Sequence, residues 1–113
     1  MKEFAERIIK IVSEYHGVTP EILTAKTNRA EIVVGRHIAV YFCRLKTDLS
    51  LAELAELFNY GNHSGTIFAF KSVRNRRNTE YSYRLMLEDI NDIIDNITEC
   101  LILDNYQEND FYV

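Results

Sequence analysis

SLAELAELFNYGNHSGTIFAFK, residues 50–71, decides the reading of this chain. Ser50 stands three residues before Glu53, the spacing at which a hydroxyl accepts from the N3 amide while the carboxylate reaches back to the amide of the cap. A helix is therefore expected to begin near Leu51, with Leu51, Leu54, Ala55, Leu57 and Phe58 on one buried face and Glu53 and Glu56 on the other. It should stop at Asn59-Tyr60-Gly61-Asn62, because Asn and Gly tolerate positive φ and Asn62 can cap a second helix with its side-chain oxygen. That second helix, from about His63, should bury Ile67, Phe70 and Val73 and leave His63, Ser64, Thr66 and Lys71 more accessible. Two short helices joined by a tight turn, the second opening on small polar residues, form a helix-turn-helix, and double-stranded DNA is the partner this predicts. The same arrangement also occurs in helical bundles that bind nothing.

Outward from this segment the pattern stays helical. Phe4, Ile8, Ile11, Val12 and Tyr15 form the apolar stripe of a helix over about 2–15, and Gly17 is placed to end it in a left-handed conformation. Thr19-Pro20-Glu21 supplies an N-cap, a proline at N1 and an acid in the first turn, so a short helix should run to about Ala25. A helix from about Arg29 to Leu45 carries Ile32, Val33, His37, Val40, Tyr41 and Arg44. Beyond Asn78-Thr79 a long one should reach Leu103, with Leu85, Ile90, Ile93, Ile94, Ile97 and Leu101 as its stripe. No stretch alternates with the period of two that a strand needs, LILD at 101–104 being the one ambiguous run. The expected fold is all-α, with five to six helices in a single domain over 1–103 and the helix-turn-helix at about 50–75. The acidic remainder, DNYQENDFYV at 104–113, is expected to be flexible unless Phe111 and Tyr112 dock onto a neighbour.

Residues 8–75 resemble, without a gap, the C-terminal DNA-binding domain of the bacterial chromosomal replication initiator DnaA. In that family a helix ending "yygv" precedes a "v.ped.L" turn, matched by Tyr15-His16-Gly17-Val18 and Thr19-Pro20-Glu21-Ile22-Leu23. A basic loop leads to a helix carrying "R..amYl", matched by Arg36, Ala39, Val40, Tyr41 and Phe42. The closing signature "lSl.eIg..fg.rDHtTv.ha" is met by Leu49, Ser50, Leu51, Glu53, Leu54, Phe58, Asn62, His63, Ser64, Gly65, Thr66 and Ala69. The resemblance implies a DnaA domain IV-like (Trp-repressor-like) fold and sequence-specific binding of double-stranded DNA, by a stand-alone protein acting in replication initiation or its regulation. It implies base contacts from Asn62, His63, Ser64, Gly65 and Thr66, and phosphate contacts are expected from the basic residues Lys26, Arg29, Arg36, Lys71 and Arg74 and from Ser50. Two departures predict an altered or weaker site. The family's Asp-His-Thr-Thr run reads Asn62-His63-Ser64-Gly65 here, and Asn28 stands where the family usually has an arginine that enters the minor groove. Asn both donates and accepts where Asp only accepts, and Gly65 offers no hydroxyl or methyl.

The formal charge of −4 averages over two unlike regions. All 13 Lys and Arg fall in residues 1–87 against nine acidic groups, whereas residues 88–113 hold eight acidic groups and no basic one. Lys71, Arg74, Arg76, Arg77 and Arg84 concentrate positive charge at and just beyond the end of the second motif helix, where it can meet phosphate or complement the helix dipole. Glu88, Asp89, Asp92, Asp95 and Glu99 lie opposite the apolar stripe of the last helix, a solvated face or a docking surface for a basic protein partner. That surface carries the alternative reading, a protein-interaction or regulatory module that keeps the fold.

At 113 residues the chain makes one domain, too small for a nucleotide-binding ATPase module, and no G-x-x-x-x-G-K-[ST] cradle for a nucleotide is present. Cys43 and Cys100 are expected as free buried thiols, and His16, His37 and His63 show no metal-ligand spacing with them. No nucleophile, base and orienter can be assembled, so no enzyme activity, cofactor or metal is expected. Without a secretory or membrane-spanning segment, a cytoplasmic location and no membrane partner are expected.

Overall fold

The local signals become six helices in a computed structural model that describes residues 1–105, with side chains described to residue 97. They are α1 (Lys2–Tyr15), α2 (Pro20–Leu23), α3 (Ala30–Lys46), α4 (Leu51–Leu57), α5 (His63–Thr79) and α6 (Tyr81–Asn105), with no strand among the described residues. The run at 101–104 is helical, as part of α6. The tail from 106 onward, with Phe111 and Tyr112, lies outside the described residues, as do the side chains of Cys100 and Leu101.

Helix ends follow the chemistry of their caps. Gly17 has φ +72°, and the Val18 amide donates to the Ser13 carbonyl at 2.9 Å, closing α1 with the six-to-one bond of a left-handed cap. The Thr19 hydroxyl accepts from the Ile22 amide at 3.2 Å ahead of Pro20, although α2 stops at Leu23, short of the Ala25 end its sequence suggests. At α4 both halves of the capping box form: the Ser50 hydroxyl accepts from the Glu53 amide at 3.1 Å and the Glu53 carboxylate from the Ser50 amide at 3.0 Å. Those bonds to Ser50 hold the Glu53 carboxyl below its ordinary range. A cap of this kind stabilises a helix by about 1 kcal/mol, which matters for a helix of seven residues.

α3 is the axis around which the rest is built. Six consecutive side chains, Ile38 to Cys43, are buried, so no face of this stretch is left to solvent; such a helix belongs inside a bundle. It packs against α1, α2, α4 and α5, while α6 closes over α1 and α5. The core joins Ile8 and Val12 of α1, Leu23 of α2, Ile38 and Val40 of α3, Leu54 of α4 with its C-cap Phe58, Val73 of α5 and Ile90 and Ile94 of α6. Burying each large side chain contributes about 1.5–3 kcal/mol. Cys43 is a free thiol in this core, its pKa pushed up to about 12 by burial, which makes it chemically inert near neutral pH. At the rim, Lys46 reaches Asp95 at 2.8 Å and ties the end of α3 to α6.

Several stripes sit differently from their sequence reading. Tyr15, Leu85 and Ile93 are exposed, and α6 turns Tyr83 and Leu87 inward with Ile90 and Ile94. On α5 the buried residues are Thr66, Ala69 and Val73, while Ile67 is exposed and Phe70 only half-buried. Small side chains face the core here because α3 crosses closely, leaving no room for a larger stripe.

Candidate nucleic-acid interface

The turn between α4 and α5 is built from its own residues. Asn59 has φ 59° and the Tyr60 amide donates to the Ala55 carbonyl at 2.8 Å, so α4 closes with a left-handed cap and the chain reverses. The Tyr60 ring then packs back near Phe58, with centroids 6.4 Å apart, and covers Gly65. A Cβ on Gly65 would stand 2.7 Å from that ring, so only glycine lets α5 lie this close to the turn. Asn62 caps α5 by accepting from the Ser64 amide at 2.9 Å through Oδ1.

Three groups therefore present themselves at the open end of α5: the Asn62 amide nitrogen and the exposed His63 and Ser64 side chains. Asn62 keeps its amide donors, while one of the two lone pairs of Oδ1 is spent on the cap, so a bidentate contact with adenine would have to share that oxygen with the Ser64 amide. Two expected base contacts are corrected. Thr66 is fully buried on the core side of α5, its hydroxyl without a hydrogen-bond partner among the described residues, and it cannot meet a groove. Gly65 is half-buried beneath Tyr60, so its lack of a side chain serves packing rather than approach to a base.

The basic loop between α2 and α3 is held by two side chains from elsewhere in the fold. Arg36, buried in α3, donates from Nε to the Leu23 carbonyl at 2.9 Å and from one terminal nitrogen to the carbonyls of Ala25 and, at 3.1 Å, Thr27. Its planar fork suits three carbonyls that no helix or strand satisfies. The expected phosphate contact at Arg36 is thus corrected: at 6% exposure its guanidinium organises the loop from within. Asn59, in the turn, donates to the Thr24 carbonyl at 2.8 Å. Sequence reasoning missed both clamps, although an arginine inside an apolar helix stretch was a usable signal.

The clamps leave Lys26 and Arg29 exposed beside the turn that precedes α5. Arg29 pairs with Glu31 at 3.0 Å, an exposed ion pair worth little and easily exchanged for phosphate. Ser50 spends one lone pair of its hydroxyl oxygen and its amide on the capping box, and its hydroxyl proton remains the donor it can offer a phosphate. Lys71 and Arg74 are exposed on α5, with Arg74 and Arg44 both about a ring's reach from Phe70, 6.0 and 5.7 Å from its centroid. Arg76 is committed elsewhere, bonded to Glu80 at 2.8 and 3.1 Å and stacked 4.1 Å over Tyr83. No group of acidic, histidine or cysteine side chains suited to a metal ion exists among the described residues. No helix among them is long and apolar enough to cross a membrane.

A capped short helix, a left-handed turn and a second helix with polar residues at its open end define a helix-turn-helix domain. A family model described as the bacterial dnaA protein helix-turn-helix matches residues 5–73, and the chain belongs to that family. Among similar proteins are the chromosomal replication initiator protein DnaA of Flavobacterium psychrophilum, 31% identical over 84 residues, and that of Chloroflexus aggregans, 31% over 80. The Thermus thermophilus protein of the same name is 34% identical over 67 residues. These matches cover 74%, 71% and 59% of this chain but only 18%, 17% and 15% of those proteins, so the chain spans less than a fifth of their length.

Proposed function

We propose that this chain binds double-stranded DNA in a sequence-specific manner through its helix-turn-helix, with the N-terminal end of α5 in the major groove and the Lys26–Arg29 loop on the adjacent backbone. The observation that carries this reading is the bond from Asn59 to Thr24, which ties the basic loop to the turn that leads into α5. His63 and Ser64 meet base edges, with Asn62 adding its amide donor; Lys26, Arg29, Lys71 and Arg74 contact phosphates, and Ser50 donates one hydroxyl bond to the backbone. α5 carries Lys71, Arg74, Arg76 and Arg77 and no acidic residue, which suits a polyanion. The relatives are named as chromosomal replication initiators, and the chain acts in initiation or its regulation as a DNA-binding domain.

Fluorescence anisotropy with random duplex, then with duplexes bearing family-type origin boxes, tests this. Affinity should fall with salt at a slope of roughly −0.9 per phosphate contact, and the box should bind more tightly than random duplex. Absence of duplex binding at low salt would move the function to the second reading, a protein-interaction module. That reading is supported by Glu88, Asp89 and Asp92, exposed on α6, while Asp95 is already paired with Lys46.

A further inference from the structure

α5 exposes two large apolar side chains that a solvated helix has no reason to show. Phe68 is 65% exposed and Ile67 38% exposed, in the middle of a helix whose other outward residues are polar or cationic. Ser64 and Phe68 stand two residues either side of the fully buried Thr66, about 200° around the helix in each direction, so both point away from the core on one shared face. Phe68 sits about 6 Å further along the axis than Ser64, close to two base-pair steps. Its ring is not loose: the His37 imidazole of α3 meets it edge-on, with centroids 5.8 Å apart and planes at 79°. Lys71 comes one turn later on the same face, and the helix holds no acidic group to repel a phosphate backbone.

An apolar side chain on the groove-facing stripe of such a helix has one natural target in duplex DNA, the C5-methyl of thymine, the only apolar group the major groove displays. We infer that Phe68, flanked by Ile67 and steadied by His37, is a specificity-determining residue that reads a thymine methyl about two base pairs from the base under Ser64. The inference rests on the DNA-binding reading above and adds to it a residue and a chemical target. The cationic surroundings favour this occupant over a second copy of the chain, whose matching face would bring the same positive charges together.

The test begins with selection of a preferred duplex from a random library. Each thymine of that site is then replaced singly by deoxyuridine, which removes the methyl and nothing else, and wild type and Phe68→Ala are titrated against every duplex. Wild type should lose about fourfold at one thymine, the worth of one buried methyl. Phe68→Ala should bind the thymine duplex several-fold more weakly, be indifferent to uracil at that position, and keep its affinity for random duplex. Because Phe68 is exposed, the variant should retain its helical circular dichroism; Phe68→Leu, which restores an apolar contact, should recover part of the methyl dependence. Wild type indifferent to uracil at every position overturns the inference, as does Phe68→Ala retaining the full uracil effect. A dimer of the free chain that Phe68→Ala disperses, with the uracil effect unchanged, also overturns it and assigns the ring to self-association. If no duplex binds at all, the DNA-binding reading and this inference fall together, whereas salt-dependent binding with no preferred sequence overturns this inference and the sequence specificity of that reading but leaves duplex binding itself standing.

Discussion

The side-chain amide of Asn59 donates to the carbonyl of Thr24 at 2.8 Å, so the turn of the helix-turn-helix holds a loop that lies 35 residues earlier in the chain. One residue performs two tasks there. Its φ of 59° reverses the chain after α4, and its amide fixes the loop carrying Lys26 and Arg29 relative to α5.

Glycine accepts the same backbone angle but has no amide, so Asn59→Gly separates these tasks. We expect a loss of stability of about 0.5–1.5 kcal/mol, the net worth of one hydrogen bond, with several-fold weaker binding to all duplexes alike. Urea denaturation and anisotropy on specific and random duplex measure both. A change in the ranking of duplexes instead would mean Asn59 itself reads bases.

Arg36→Met removes the fork that serves the carbonyls of Leu23, Ala25 and Thr27. The Ala25 carbonyl keeps its bond from the Thr27 amide, but leaving those of Leu23 and Thr27 without the guanidinium should destabilise the fold by about 2–4 kcal/mol, and Arg36→Lys should not restore it, since one ammonium cannot span the three. Hydrogen exchange of the 24–29 amides should accelerate in both variants. Unchanged stability with weakened DNA binding would return Arg36 to direct phosphate contact.

Thr66→Val exchanges an unpartnered buried hydroxyl for a methyl of nearly the same shape. Stability should be unchanged or rise by up to about 1 kcal/mol, and the preferred DNA sequence should not move. Gly65→Ala, by contrast, drives a Cβ to 2.7 Å from the Tyr60 ring and should cost about 1–3 kcal/mol. Thermal denaturation separates the two, and a shifted duplex preference in Thr66→Val would contradict the inward placement of that side chain.

His63→Ala should cost about 1–3 kcal/mol on the preferred duplex and leave random duplex nearly unaffected, as expected for a base contact. His63 is exposed, so its removal should leave the denaturation midpoint in place. An equal loss on both duplexes, measured by competition binding, would reassign it to phosphate.

His37 titrates below its ordinary value, chiefly because burial disfavours the imidazolium and secondly because Arg36 is near. A histidine whose folded pKa is depressed binds its proton more readily when unfolded. The stability it supports is therefore intact above the unfolded value of about 6.5 and is lost as pH falls through the folded one. The stability difference between wild type and His37→Gln should thus shrink as pH is lowered from 7 towards 5. A difference that is flat over this range in denaturant melts would place His37 in solvent.

What the sequence determined by itself was local. The capping box at Ser50 and Glu53, the left-handed Gly17, the proline at the start of α2 and the Asn62 cap are all chemistry between residues within a turn of one another, and each is present in the fold. The family emerged from the same ordered signals. Tertiary packing decided which side of α5 faces inward: periodicity favoured Ile67, but the close crossing of α3 admits only Thr66, Ala69 and Val73, which turns Ile67 and Phe68 outward. It also decided the use of Arg36, because a positive charge reads as a phosphate contact until the loop carbonyls that surround it are seen. Helix propensity and caps are fixed by neighbours in sequence. Burial and the partners of a long polar side chain depend on groups that meet only when the chain is folded, and no pattern along the sequence encodes them directly.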